Sequence, residues 1–346
     1  MPSYIVRIRA TDETGAYADR NFTFNVTSSV ANQIMAVDGI GGYASPDGVA
    51  WTKRITVGGR RVTHGNGLWI ISGAVTGRTA NQFHWSNDAV SWDMRTIPAL
   101  LVDGTPSDPF WAYLHDQWWV HGAVAANQTG WITSINPQSK IWTAKAVTGG
   151  LGLRATTLAS DGSNIITAYE GSTTLHVSTD GGMTFEPLLG SPVLPEASGA
   201  TVTYLNGTWL CVTPTEVHIS RDLLTWTIGA LPTLPANTVL TQITYGNGRM
   251  VLPLSKVSAE VGTVGACLTS DNGGYSWSLR SFEPFIEDSV STCRTSVAFA
   301  CGWWLLAGSS ATSPGLRVSR NAIDWSVAAV EGSGGSFNSI ARTSMG

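Results

Sequence analysis

Ser178-Thr-Asp180-Gly-Gly-Met-Thr-Phe185 decides the fold, because the same phrase returns along the chain. Before it stand Ser45-Pro-Asp47-Gly-Val-Ala-Trp51 and Ser86-Asn-Asp88-Ala-Val-Ser-Trp92. After it come Ser220-Arg-Asp222-Leu-Leu-Thr-Trp226, Ser270-Asp-Asn272-Gly-Gly-Tyr-Ser-Trp277 and Ser319-Arg-Asn321-Ala-Ile-Asp-Trp325. A degraded copy runs Ser134-Ile-Asn136-Pro-Gln-Ser-Lys-Ile-Trp142. Each phrase is a serine, an aspartate or asparagine two residues on, a turn, and an aromatic residue. The closing aromatics lie 41, 50, 43, 41, 51 and 48 residues apart. A period in this range marks a repeat architecture.

The phrase has the chemistry of a hairpin turn. Serine and aspartate side chains bond backbone N–H groups across a turn, and glycine supplies positive φ. The closing aromatic has ring area to bury between neighbouring units. Most units carry a second hairpin upstream. Asn66-Gly67-Leu-Trp69, Asn206-Gly207-Thr-Trp209 and Asn247-Gly248-Arg-Met250 set Asn-Gly between apolar runs, the strongest short-range hairpin signal. Asp116-Gln-Trp-Trp119, Asp161-Gly162-Ser-Asn164 and Cys301-Gly302-Trp303-Trp304 are variants. Two hairpins make four antiparallel strands, and four-stranded units at this spacing are propeller blades.

The ends complete the count. Before Trp51, residues 33–38 read as a second strand and 42–45 as a third, with no first strand ahead of them. Phe337-Asn-Ser-Ile340-Ala-Arg matches first strands such as Thr241-Gln-Ile-Thr-Tyr245 and Thr295-Ser-Val-Ala-Phe299. The expectation is an all-β, seven-bladed propeller over 31–346, closed by the C-terminal strand joining the N-terminal blade. Closure removes the exposed edges that an open array would keep.

Residues 1–30 stand apart as a β-hairpin arm and linker. Tyr4-Ile-Val-Arg-Ile-Arg-Ala-Thr and Asn21-Phe-Thr-Phe-Asn-Val26 alternate apolar and polar residues. A two-stranded hairpin is marginal in water by itself, so it is expected to pack on another surface, with docking to another chain preferred.

Composition bounds the function. Hydrophobic residues make up 43% and charged residues 13%, a packed and sparsely charged chain. The net charge is −4 with no basic block, which argues against nucleic acid as a partner. No apolar run approaches the ~20 residues of a membrane span, so no insertion is expected. Met1-Pro-Ser-Tyr opens on strand-like residues, and synthesis in a cytoplasm is expected. Cys211, Cys267, Cys293 and Cys301 read as buried free thiols, with a Cys293–Cys301 bridge as the alternative.

The Ser-x-Asp-x-Gly-x-Thr-Trp phrase resembles the Asp box, or BNR repeat, of sialidase-like propellers. Ser178–Phe185 matches with Phe for Trp, and Ser270–Trp277 with Asn272 for Asp. The resemblance implies that the boxes lie between third and fourth strands, away from any active site, with structural roles. Those residues are Ser45, Asp47, Trp51, Ser86, Asp88, Trp92, Ser178, Asp180, Phe185, Ser220, Asp222, Trp226, Ser270, Asn272, Trp277, Ser319, Asn321 and Trp325. The N-terminal hairpin resembles the last two strands of cadherin-like or immunoglobulin-like modules of bacterial surface and phage tail proteins.

A sialidase would bring an arginine triad, a Tyr/Glu pair and an Asp, with an Arg-Ile-Pro phrase on the first strand. Here Arg95-Thr-Ile-Pro98 follows the second box, and Arg154, Arg294 and Arg342 form no convincing trio. Glycoside hydrolysis needs two carboxylates about 5–9.5 Å apart. Asp103, Asp108, Glu196, Glu283, Glu287 and Asp288 fall on loops between blades, where solvated charge is the ordinary role. His84, His176 and His218 each precede a box serine by two residues, which assigns them to blade packing. His64, His115 and His121 show no metal-ligand spacing. No metal or cofactor is expected.

Recognition is expected on loops 73–82, 96–109, 190–199, 230–240, 253–265 and 282–293, which share one face of the ring. Arg78, Asn81, Asp103, Asp108, Glu196, Glu283 and Asp288 are the candidate binding residues. The combined expectation is a non-enzymatic virion component of a tailed bacteriophage, in tail, fibre or baseplate. It would join other tail proteins through the hairpin and contact a host-surface glycan or protein. A surface-polysaccharide hydrolase of sialidase-like type is the alternative, and a bacterial propeller scaffold the third.

Overall fold

Burial is graded across each blade of the ring: second strands such as Leu68–Ser72 and Thr208–Val212 are buried throughout, the first strand Ala155–Ser160 alternates, and outer strands such as Asp93–Thr96 are exposed. The computed structural model describes residues 3–11, 17–25, 33–73, 81–97, 110–125, 128–138, 141–145, 155–169, 171–194, 200–235, 238–240, 242–256, 264–285, 295–308, 315–328, 330 and 337–343. The chain divides into two compact units, Met1–Ala31 and Asn32–Gly346. In the first, Ser3–Thr11 pairs antiparallel with Tyr17–Asn25, from Ser3↔Asn25 to Thr11↔Tyr17. The second strand starts at Tyr17, earlier than the alternation at Asn21 suggests.

The second unit is a seven-bladed β-propeller of four-stranded antiparallel blades. Blade 1 takes Phe337–Arg342 as its first strand, then Ile34–Asp38, Gly42–Ser45 and Thr52–Ile55. Blade 2 runs Arg61–Gly65, Leu68–Ser72, Gln82–Ser86 and Asp93–Thr96. Blade 3 runs Phe110–Leu114, Gln117–Ala125, Gln128–Ser134 and Thr143–Lys145. Blade 4 runs Ala155–Ser160, Ile165–Tyr169, Leu175–Ser178 and Glu186–Pro187. Blade 5 runs Thr201–Leu205, Thr208–Val212, Val217–Ser220 and Thr227–Ile228. Blade 6 splits its first strand into Thr238–Leu240 and Thr244–Gly246. Arg249–Lys256, Val264–Ser270 and Ser278–Phe285 follow. Blade 7 runs Thr295–Ala300, Trp303–Gly308, Leu316–Ser319 and Ser326–Val327.

The ring closes as the sequence predicts, with Ile34↔Arg342 through Asp38↔Phe337. Residues expected in loops 230–240, 253–265 and 282–293 partly extend strands instead. Thr238↔Lys256 lengthens the first pair of blade 6, and the outer strand of that blade reaches Phe285.

The first hairpins turn on residues that tolerate positive φ. Asn66, Asn206 and Asn247 have φ of 46°, 51° and 48°. In blade 3, Leu114 pairs with Gln117 and the turn residues are His115 and Asp116, one position earlier than the Asp116-Gln reading. Cys301 occupies the same turn position in blade 7 and is exposed, so it is not the buried thiol expected. Buried Cys211 and Cys267 are free cysteines. Cys293 lies outside the described residues.

The recurring phrase forms the turn between third and outer strands in one pattern. The serine hydroxyl contacts the acidic or amide oxygen two residues on, at 3.1 Å for Ser45–Asp47, 2.7 Å for Ser178–Asp180 and 3.0 Å for Ser319–Asn321. That oxygen accepts backbone N–H groups further round, as Asp222 does from Leu224 and Thr225. The degraded copy keeps a partial version, in which Asn136 accepts from the Gln138 N–H. The closing aromatic sits just before the outer strand and packs back on the preceding blade. Trp51 rests on the blade 7 cluster, Trp142 lies 6.3 Å from Phe83, and Trp325 lies 5.7 Å from Phe282. His176 and His218 are buried and His84 is half-buried, in the blade-packing places expected.

The turn carboxylates set an acid limit on stability. The Thr225 and Leu224 N–H groups hold Asp222 at about 2, and the Thr184 N–H with the Ser178 hydroxyl holds Asp180 well below the usual range. A lowered folded value contributes stability above the unfolded carboxylate value of about 3.9 and loses it as pH falls through the folded value. Melting temperature is therefore expected to fall between about pH 4 and pH 2 on account of these turns. Asp222→Asn should flatten that slope. Asn321 already makes the same bonds to Ile323 and Asp324 without a titrating group.

Candidate functional site: the central channel

First strands carry polar residues where a core would carry none. Each has one residue opposite the second-strand residue that itself pairs with the box serine. Three positions before it stand Ser339, Arg61, Phe110, Thr157, Thr201, Gln242 and Ser296, one from each blade in turn. All seven line a single cavity of about 510 Å³ on the ring axis, to which every blade contributes.

Several of these hydroxyls hold blade to blade. Ser339 Oγ accepts from the Val62 N–H at 3.3 Å, and Ser296 Oγ from the Ile340 N–H at 3.4 Å. Thr157 Oγ1 donates to the Val202 carbonyl at 2.9 Å and accepts its N–H at 3.0 Å. Thr244 Oγ1 donates to the Val297 carbonyl at 2.9 Å. His121, buried on the second strand of blade 3, accepts the Ala155 N–H of blade 4 through Nδ1 at 3.2 Å. These bonds fix the channel wall.

The charged and titratable lining groups are Arg61, His64 and Arg342, all from blades 1 and 2. The Arg61 guanidinium stands 5.6 Å from the centre of the Phe110 ring, a cation–π placement. His64 tilts against Trp69 at 4.6 Å, and burial pushes its pKa down to about 4, so it is neutral at physiological pH. Arg342 ends the closing strand and is exposed. Among the described residues no Asp or Glu lines the channel, and no group of three His, Cys, Asp or Glu could hold a metal ion. The chemistry available is hydrogen bonding and cationic attraction, with an aromatic wall from Phe110 and Trp111.

Most of the expected binding residues fall outside the described part of the chain. Arg78, Asp103, Asp108, Glu196, Glu287 and Asp288 are outside the described residues, as are Arg154 and Arg294. Asn81 sits at the foot of the third strand of blade 2, its carbonyl accepting the Ile97 N–H at 3.0 Å. Glu283 belongs to the outer strand of blade 6, not to a loop. Arg95 is exposed on the outer strand of blade 2, so the Arg95-Thr-Ile-Pro98 phrase is not on a channel strand. Among the described residues, Arg342 is the arginine weighed for a triad that lines the channel. Sequence reasoning missed Arg61, although counting back from Trp69 through the Asn66-Gly67 turn would have reached it.

No protein-family model and no curated protein sequence matches the chain. Solved structures do. Virginiamycin B lyase from Staphylococcus aureus is similar at a TM-score of 0.53 and 13% identity, over 87% of this chain and 89% of that one. AztD from Citrobacter koseri, in its apo form, is similar at 0.50 and 12%, over 99% and 98%. An ancestral GH74 enzyme is similar at 0.51 and 12%, over 75% of this chain and 37% of that one. At such identities the likeness is one of fold.

Proposed function

We propose that the chain is a non-enzymatic component of a tailed-bacteriophage virion, sited in the tail, fibre or baseplate. Its propeller binds, and its N-terminal hairpin joins it to another tail protein. The observation that carries the non-enzymatic part is the channel lining. Hydroxyl, amide and guanidinium groups hold a polar ligand well, whereas glycoside hydrolysis needs a positioned pair of carboxylates. The siting in a virion rests on the resemblance of the hairpin to tail-module strands, combined with a sparsely charged propeller. Two strands that pair with each other in a two-stranded sheet suit strand addition to a neighbouring sheet. Host-surface glycan or protein is the ligand class for the ring, and no nucleic acid or membrane insertion enters the reading.

Two measurements test it. A chain lacking residues 1–28 should keep the cooperative unfolding of the propeller and no longer co-purify with virion assemblies. Continued assembly without the hairpin would refute the docking role. The full chain should release no sugar from host-surface polysaccharide or sialylated substrates. Turnover lost on substituting Asp103, Glu283 or Asp288 would replace this reading with the hydrolase one.

A further inference from the structure

A file of rings runs through the seam between blades 3 and 4. His121, on the second strand of blade 3, is 2% exposed. Its ring stands 4.8 Å from that of Trp131 and 5.8 Å from that of Tyr169, which belongs to the second strand of blade 4. Tyr169 in turn meets His176 edge-on at 5.0 Å. A backbone group of blade 4 is tied to this file, since the Ala155 N–H donates to His121 Nδ1 at 3.2 Å. That bond needs the lone pair on Nδ1. An imidazolium carries N–H on both nitrogens, so a proton at Nδ1 would set two donors against each other. The segments that the bond joins belong to the channel wall. Phe110 pairs with His121, Thr156 and Thr157 follow Ala155, and all three line the cavity.

We propose that His121 is an acid-sensitive latch on the channel: taking up a proton at Nδ1 releases Ala155 and loosens the sector of the wall between Phe110 and Thr157. The surroundings favour release over holding the charge in place. Burial pushes the Tyr169 phenol up to about 12 and the His176 imidazole down, so both are neutral near pH 7. Lys145 closes the cross-strand row of Phe110, His121 and Trp131. Glu186, on the outer strand of blade 4, pairs with Val177, and strand alternation sets it on the face opposite His176. Arg154 and Glu170, next to Ala155 and Tyr169 in the chain, lie outside the described residues. Blade 5 is built differently. His218 stands there as His176 does in blade 4, but its Nε2 lies 3.1 Å from Glu216, a counter-charge for a protonated ring. A solvated imidazole takes up its proton near pH 6.5, well above the range in which the turn carboxylates titrate. The stability of the latch is therefore held above about pH 6.5 and lost as pH falls below it.

Amide hydrogen exchange of the full chain, corrected for intrinsic exchange rates, tests the proposal. Between about pH 7.5 and about pH 5.5 the protection of Ala155–Thr157 should fall by at least about tenfold, while that of Val217–Ile219 in blade 5 stays as it was. His121→Asn puts an amide oxygen where Nδ1 accepts and has no proton to take up, so it should keep Ala155 protected at both values. If that variant fails to fold, nitrogen NMR of the parent reads the same event: the His121 Nδ1 signal and the Ala155 amide should titrate together. Three results would overturn the latch. They are unchanged protection of Ala155 in the parent, a fall that persists in His121→Asn, and a His121 Nδ1 that takes up no proton down to about pH 5.5.

Discussion

A chain ending at residue 336 is expected to lose the cooperative unfolding of the ring. The closing strand Phe337–Arg342 supplies the whole first strand of blade 1 and pairs with Ile34–Asp38 along its length. Without it that edge is open, and the channel loses Ser339 and Arg342. The packing loss is as large. Phe337 is fully buried and meets Tyr43 edge-on at 5.5 Å, and Ile340 joins the cluster shared by blades 7 and 1. Phe337→Ala alone should cost about 3–5 kcal/mol, the usual range for a large buried side chain. The rest of that seam holds Ile34, Ala36 and Tyr43 against Leu305, Leu316 and Val318, with Trp51 on blade 7 and the Cys301 thiol donating to the Pro46 carbonyl. Urea unfolding should show a broad or two-step transition for the truncated chain and a single one for the parent. A single transition with an unchanged midpoint would mean that closure contributes little.

The same seam allows a gain to be tested. Thr343 donates its N–H to the Gln33 carbonyl, and Arg342 lies opposite Ile34, so the two ends meet as a first hairpin that lacks its turn. Joining Thr343 to Gln33 through Asn-Gly would supply the turn that Asn66-Gly67 makes in blade 2. A permuted chain running 337–343, Asn-Gly, 33–336 should therefore fold and resist urea better than the truncated chain.

Turn chemistry made the fold legible, because it is local. Ser178 and Asp180 bond within five residues of each other, so their spacing survives in the sequence whatever the rest of the chain does. Closure was legible for a similar reason, since a missing first strand and a surplus one are both visible as patterns. The channel was harder to read. Its lining depends on register, and blade 4 shifts register between Ala155 and Thr157, which hides Thr157 from any alternation count. Blade 6 breaks its first strand before Thr244, which drew Thr238–Leu240 into an expected loop.

Packing between blades was the least legible layer, and Gly182→Ala should expose it. Gly182 has φ of 81° and lies in the turn of blade 4, where its N–H bonds Ser178 Oγ at 2.8 Å. A methyl group built on it would overlap the ring of Trp119, which belongs to the second strand of blade 3. That ring cannot step aside. Trp119 is fully buried, its Nε1 donates to the Leu114 carbonyl at 3.0 Å, and it stands edge-on to Trp131 at 5.9 Å. The left-handed backbone costs a side chain roughly 1–2 kcal/mol, and overpacking a filled core roughly 1–3 kcal/mol more. Gly182→Ala should therefore destabilise the ring by about 2–5 kcal/mol. Its neighbour separates the two causes. Gly181 has φ of 72°, but a methyl group there meets nothing within 4 Å. Gly181→Ala should cost only the backbone share, about 1 kcal/mol. Equal losses for the two variants in urea unfolding would show that backbone conformation alone fixes glycine here, and that Trp119 does not press on the turn of the next blade.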